Sequence, residues 1–225
     1  MSMDDLFRKR RRERRARRYE FKAPRANSFL IVTEGERTEP FYFKGLKALI
    51  QQKVGGVVDI VEVPVIEVHG EGVGSGQLIK VAEKLEKNAK IIYQNIWIVF
   101  DKDDFPDFDI AIKEGALKGY HIAWSNQSFE YWLYLHFHYS DSALTRDEWS
   151  NKLNVIFRQK RIGDGCYRKN DEDIYNNVNI CDGVAMAIKN ANRRMKSYRP
   201  GIDIPSEYDP GTMVHFLVAE LRKFL

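Results

Sequence analysis

Short unbroken apolar runs alternate with amphipathic stretches through the first 140 residues. Residues 28–32 (SFLIV) read as a buried strand that ends in the polar cluster Thr33-Glu34-Gly35-Glu36. Thr38-Glu39-Pro40 opens a helix: a capping hydroxyl, an acid in the first turn, and a proline where no N–H is needed. Phe41, Leu46, Leu49 and Ile50 continue it to Val54-Gly55-Gly56. Residues 57–68 have strand composition with a break at Pro64, then a glycine-rich loop spans 69–76, and a charged amphipathic helix runs from about Gln77 to Tyr93. A second buried-type strand, 95–100 (NIWIVF), ends in Asp101-Lys102-Asp103-Asp104. Pro106 and Asp107 start a helix to about Lys118, and residues 120–124 form a further short strand. The stretch 125–128 (SNQS) caps a helix that puts Phe129, Trp132, Leu133, His136 and Phe137 on one face.

The order β-α-β-α-β-α-β-α predicts an α/β fold with a mainly parallel sheet and crossover helices. After Thr145 the pattern is helical, near 145–158 and 180–197. A last helix is expected to begin with an Asp209 cap and Pro210, with Met213, Leu217, Leu221 and Phe224 on one face. The expected division is a basic arm (1–26), disordered on its own, an α/β core (27–140) and a helical extension packed on it (141–225).

Composition changes this picture mainly through charge. The 225 residues carry a formal net charge of +4, but residues 1–25 hold eleven basic and four acidic side chains, so the remaining 200 are mildly acidic. Nine of the eleven residues from Arg8 to Arg18 are cationic, including Arg10, Arg11, Arg12, Arg14, Arg15, Arg17 and Arg18. Such a run neutralises phosphates with strong salt dependence and little sequence reading, and nucleic acid is the partner it suits best. An acidic protein or an anionic membrane surface are the other surfaces it could meet. No stretch approaches the roughly 20 apolar residues of a membrane span. The basic start is not followed by the apolar run of a secretory signal. Cys166 and Cys181 fit neither a zinc spacing nor a disulfide framework, which points to a cytoplasmic setting.

Candidate chemistry gathers at the carboxyl ends of the strands, where ligands collect in open parallel sheets. The first strand delivers Glu34, with Glu36 two residues on. A later one delivers Asp101 and Asp103, whose i, i+2 spacing aims both carboxylates one way in extended chain. Clustered carboxylates need a cation or must protonate, and oxygen ligands without His or Cys favour Mg²⁺ or Mn²⁺. Acids at strand ends also serve as helix caps and solvated loop residues, and spacing alone leaves both readings open.

The residues from Phe29 to Phe43, with Thr33-Glu34-Gly35-Glu36-Arg37-Thr38-Glu39-Pro40 at their centre, resemble the opening motif of the RloB family. Val99-Phe100-Asp101-Lys102-Asp103-Asp104-Phe105 resembles its second motif, and Ser125-Asn126-Gln127-Ser128-Phe129-Glu130-Tyr131-Trp132-Leu133 its third, where the family usually has proline near Gln127. Tyr167-Arg168-Lys169-Asn170 and Asp209-Pro210-Gly211-Thr212 are weaker echoes. The resemblance implies a Toprim-like fold, a role in bacterial antiviral defence and abortive infection, and a partnership with an ATPase. It implies a magnesium-dependent nuclease site with Glu34 as ligand or general base and Asp101 and Asp103 as ligands. The alternatives are a primase-like nucleotidyl transferase and a non-catalytic nucleic-acid-binding or sensor module. RNA, including tRNA, and DNA remain open as substrates. The Glu34–Glu39 string is one residue longer than in related nucleases, which leaves the roles of Glu36 and Glu39 open.

Weaker signals remain. Glu130, in a helix first turn, reads equally as a site acid or as a surface acid favoured by the helix dipole. The loop 70–76 lacks both Gly-Lys-Ser/Thr and Gly-x-Gly-x-x-Gly, so it is a substrate-facing loop or a plain connector. Lys160-Arg161 and Tyr167-Arg168-Lys169 form a basic–aromatic cluster that suits nucleic acid or a solvated loop, with Arg168 and Lys169 as the candidate contacts. His136, on an apolar helix face, reads as a core histidine rather than a ligand.

Overall fold

The computed structural model describes residues 23–54, 65–102 and 106–225; the expectations for the basic arm, for the first part of the 57–68 strand and for Asp103 fall on residues outside these. The described chain runs β1 (Ala23–Thr33), α1 (Thr38–Val54), β2 (Val65–Gly70), α2 (Ser75–Asn88), β3 (Ile91–Asp101), α3 (Phe108–Leu117), β4 (His121–Asn126) and α4 (Phe129–Leu135). It continues with α5 (Arg146–Lys160), α6 (Ile174–Val178), α7 (Gly183–Met195), a 3-10 turn (Pro205–Glu207), β5 (Gly211–Thr212) and α8 (Val214–Arg222). The sheet order is β2-β1-β3-β4-β5, parallel throughout except for the antiparallel β4–β5 pair. This is the expected α/β fold with a mainly parallel sheet flanked by helices.

Both faces of the sheet are covered, which is why its strands read as continuous apolar runs rather than alternating ones. Phe29, Ile31, Trp97 and Val99 face a large core completed by Tyr42, Phe43 and Leu46 of α1, Trp132 of α4, Trp149 of α5 and Leu217 of α8. Leu30, Val32, Ile98 and Phe100 alternate onto the other face, against Leu78 and Ile79 of α2 and Phe108 of α3. Each strand thus divides its side chains between two helix layers.

Two boundaries depart from expectation. The helix expected to reach Tyr93 ends at Asn88, because Ile91, Ile92 and Tyr93 pair in parallel with the early part of β1 and lengthen β3. Asp209 and Pro210 do not begin the last helix, which starts at Val214. Residues 211–212 are taken instead by the sheet edge: Ser125 pairs with Thr212 through the backbone, and their hydroxyls meet at 3.1 Å. A strand edge presents backbone groups that need partners, and this short strand meets that need. Met213 accordingly packs with the second core, apart from Leu217, Leu221 and Phe224 in the first.

Candidate functional site

The chain leaves β1 toward β2 on one side and reaches β3 on the other, so the crossover direction reverses between β1 and β3. A crevice opens at such a reversal outside the carboxyl ends of the strands. Here it is an open cavity of about 590 Å³. Glu34, Glu36, Glu39, Asp101 and Glu130 line it together with Arg37, Arg146 and Lys169.

Glu34 and Asp101 are joined directly at the strand ends. The Glu34 N–H donates to the Val99 carbonyl at 2.8 Å, and the Asp101 N–H donates to Glu34 Oε2 at 3.1 Å. The Glu39 carboxylate fills the space beside Gly35, where a Cβ would run into it. Glycine at 35 therefore lets the first turn of α1 fold Glu39 back beneath the strand exit. The loop expected to face substrate or merely connect forms one wall of the cavity through Gly72, Val73 and Gly74. The Gly72 N–H donates to the Glu34 carbonyl at 2.8 Å, and Gly72 sits at φ +61 with Glu36 against it.

Asp101 closes the floor. Its Oδ2 accepts the Phe129 N–H at the start of α4 at 3.0 Å, while its Oδ1 is buried and has no hydrogen-bond partner among the described residues. Burial and then the neighbouring Glu39 and Glu130 push the Asp101 carboxyl well above its ordinary range, against the pull of the Phe129 N–H and of Arg146. Burial first, with Glu130 adding, raises Glu39 to about 7. These are the signs of carboxylates crowded without enough countercharge. Glu130 is not a surface acid: its side chain is 4% exposed, and its Oε1 accepts the buried Tyr167 hydroxyl at 3.0 Å.

The helical half of the chain supplies two of the three cations that line the cavity, the third being Arg37. Thr145 caps α5 in a reciprocal capping box with Glu148, and this fixes Arg146 as the first helical residue, 3.9 Å from Asp101 Oδ2. Trp149, fully buried against Tyr131, locks the same turn onto α4. The Thr38 hydroxyl, expected as a cap, instead donates to the Lys169 carbonyl at 2.9 Å. It thereby pins the 167–169 segment over the cavity, with Lys169 Nζ 3.6 Å from Glu130 Oε1.

Of the residues expected to act, the fold brings Glu34, Asp101, Glu130 and Lys169 to one cavity. Arg168 is separated from its neighbour: its guanidinium pairs with Asp164 at 2.5 Å, outside the cavity lining. Asp103 and Arg10, Arg11, Arg12, Arg14, Arg15, Arg17 and Arg18 lie outside the described residues. Sequence reasoning missed Arg146 and the tie between Tyr167 and Glu130. Thr-x-x-Glu at 145–148 signals a helix start but not what that start faces.

The donor chemistry of the floor is hard oxygen throughout, and the unpartnered Asp101 Oδ1 offers lone pairs that only a cation or a donor can satisfy. That suits Mg²⁺ or Mn²⁺. Among the described residues no group of three or more His, Cys, Asp and Glu side chains is arranged to hold a metal ion. Among the same residues no helix is long and apolar enough to cross a membrane.

A sequence model of the family described as RloB-like protein matches residues 29–221. No curated protein and no solved structure matches the chain.

Proposed function

The chain belongs to the RloB-like family, and from that premise we propose that it is a magnesium-dependent nuclease with a Toprim-type site, hydrolysing phosphodiesters of RNA or DNA in bacterial antiviral defence. The observation that supports this reading is Asp101: a largely buried carboxylate at the switch point of the sheet, with one oxygen unpartnered among the described residues and two more acids beside it. A structural acid in that position would be satisfied by donors. This one keeps a lone pair and a raised proton affinity, as a group does whose partner arrives with the substrate.

Of the described carboxylates, Glu34 and Asp101 would hold the cation, together with Asp103, which lies outside the described residues. When bound, it would neutralise a non-bridging phosphate oxygen and lower the pKa of a water. The chain's own residues supply the rest. Glu34, fastened to the Asp101 backbone, is the acid placed to orient or deprotonate that water. Tyr167 holds Glu130 on the floor. The basic arm would tether the polyanion that an acidic cavity repels. The chain carries no Gly-Lys-Ser/Thr phosphate loop, so control of a toxic cytoplasmic nuclease would fall to a separate ATPase.

The test is incubation of the full chain with tRNA, ribosomal RNA, and single- and double-stranded DNA, in Mg²⁺ or EDTA, beside Glu34→Ala and Asp101→Ala. Cleavage lost in EDTA and in both variants is the expected result. Cleavage that survives all three overturns the metal mechanism. Binding without cleavage of any substrate, with an ATPase partner present, favours a non-catalytic module.

A further inference from the structure

The cavity floor is acidic, yet a nucleic-acid strand must place a phosphate on it. Three cations line the cavity, Arg37, Arg146 and Lys169, and the two that are paired with floor acids, Arg146 and Lys169, come from the helical half of the chain. The Arg146 side chain is 40% exposed while its Asp101 partner is 12% exposed. Lys169 is 55% exposed over a Glu130 that is 4% exposed. An incoming strand therefore meets the cations first.

Neither pair is a fastened salt bridge. Separations of 3.9 and 3.6 Å exceed the roughly 2.7–2.9 Å of a charge-assisted hydrogen bond. Such loose, half-exposed pairs contribute little to stability. Their backbones, by contrast, are firmly set: Arg146 by the Thr145–Glu148 capping box, Lys169 by the bond from Thr38 to its carbonyl. A rigid base under a loosely held charge is the arrangement of a ligand-binding cation. Arginine offers a planar fork for two phosphate oxygens and lysine a compact point charge.

Resting on the reading above, we infer that Arg146 and Lys169 form a phosphate grip, parked on Asp101 and Glu130 and transferred to the phosphodiester backbone of a single nucleic-acid strand when it enters. Asp101 at the end of β3 and Glu130 in α4 supply the acids and the later helical segment supplies the grip, so neither half of the chain completes the site alone. Arg168, turned toward Asp164, takes no part.

The grip is tested by binding rather than turnover. Labelled single strands, one arm RNA and one DNA, are titrated onto the full chain in Ca²⁺ and in EDTA over a range of salt. Wild type is compared with Arg146→Gln, Lys169→Gln, Arg146→Lys and Arg168→Gln. For single strands each lost phosphate contact lowers the slope of log K against log salt by about 0.7. Arg146→Gln and Lys169→Gln should each weaken binding and reduce the slope by that amount in at least one arm, which identifies the strand preferred. Arg146→Lys and Arg168→Gln should keep the wild-type slope, so that a folding defect is not mistaken for a lost contact. Slopes unchanged in both Gln variants overturn the grip, even where cleavage still depends on Glu34 and Asp101. Lowered slopes beside EDTA-resistant cleavage leave the grip standing and overturn the metal reading alone.

Discussion

Two buried titratable groups lie under the same sheet, and their surroundings could hardly differ more. His136 packs edge-on against Tyr42 and Trp132 of the first core. Its Nε2 meets the Tyr42 hydroxyl at 3.0 Å and its Nδ1 the Trp132 carbonyl at 3.0 Å. A carbonyl only accepts, so Nδ1 carries the proton, Nε2 accepts from Tyr42, and the neutral ring is fully satisfied. Burial holds its pKa at about 3. Asp101 is less deeply buried and only half satisfied among the described residues, and its proton affinity moves upward with that of Glu39. A satisfied buried group belongs to the fold. A buried group left wanting a partner points to a ligand.

The contrast breaks most visibly at its structural end. His136→Ala leaves the Tyr42 hydroxyl without its partner and opens space among packed rings, and should cost about 3 kcal/mol in urea unfolding at neutral pH. A near-neutral effect would mean the core does not need the pair. Acid should act in the same direction on the wild type. A histidine whose folded pKa lies below its unfolded value contributes stability above about pH 6.5, and this is lost as pH falls toward 3.

Glu39 should show the opposite dependence. Its folded pKa, about 7, lies above the ordinary carboxyl value, so the folded chain holds a proton that the unfolded chain has released. Its contribution is fully present below about pH 4.5 and is lost as pH rises through 7. In EDTA, unfolding free energy should fall by about 2–3 kcal/mol from pH 5 to pH 8 on this account, and Glu39→Gln should flatten the fall. An identical slope in the variant would show that Glu39 is not the group titrating.

Two smaller effects sharpen the comparison. Asp101→Asn removes a poorly compensated buried charge and should stabilise the metal-free chain by about 1 kcal/mol in thermal melts at pH 8 while abolishing cleavage. A less stable variant would mark Asp101 as structural. Thr145→Ala removes the cap of α5 and should cost about 1 kcal/mol or less, with weaker binding of single strands because Arg146 loses its fixed base. Full strand affinity in that variant would argue that Arg146 finds its position without the cap.

Much of this was legible beforehand where the signal is local. The runs at 28–32 and 95–100 became β1 and β3, and the acids after them, Glu34 and Asp101, meet at the strand ends. The core reading of His136 rested on its place among Phe129, Trp132 and Leu133, and the packing agrees. Residues whose neighbours are distant in the chain were not legible. Tyr167-Arg168-Lys169 looked like one basic–aromatic cluster, yet the loop sends Tyr167 to Glu130, Arg168 to Asp164 and Lys169 to the cavity. Nothing in adjacent residues predicts that division, because Glu130, the acid that both Tyr167 and Lys169 meet, lies 37 residues before Tyr167. The 209–212 stretch carried a proper helix-start signal and was claimed instead by the open edge of β4, a partner more than 80 residues away.

The sequence by itself determined the alternation of strand and helix, the two-sided burial of the sheet, and the acids at its carboxyl edge. Hydrophobic periodicity and chain reversal set these, and both act over a few residues. Only the tertiary structure decided that Glu39 and Glu130 join Asp101, that Gly35 makes room for one of them, and that the cations facing them are Arg146 and Lys169. Those pairings form where segments from both halves of the chain converge. There the balance of desolvation against countercharge is set by packing, which no local pattern encodes.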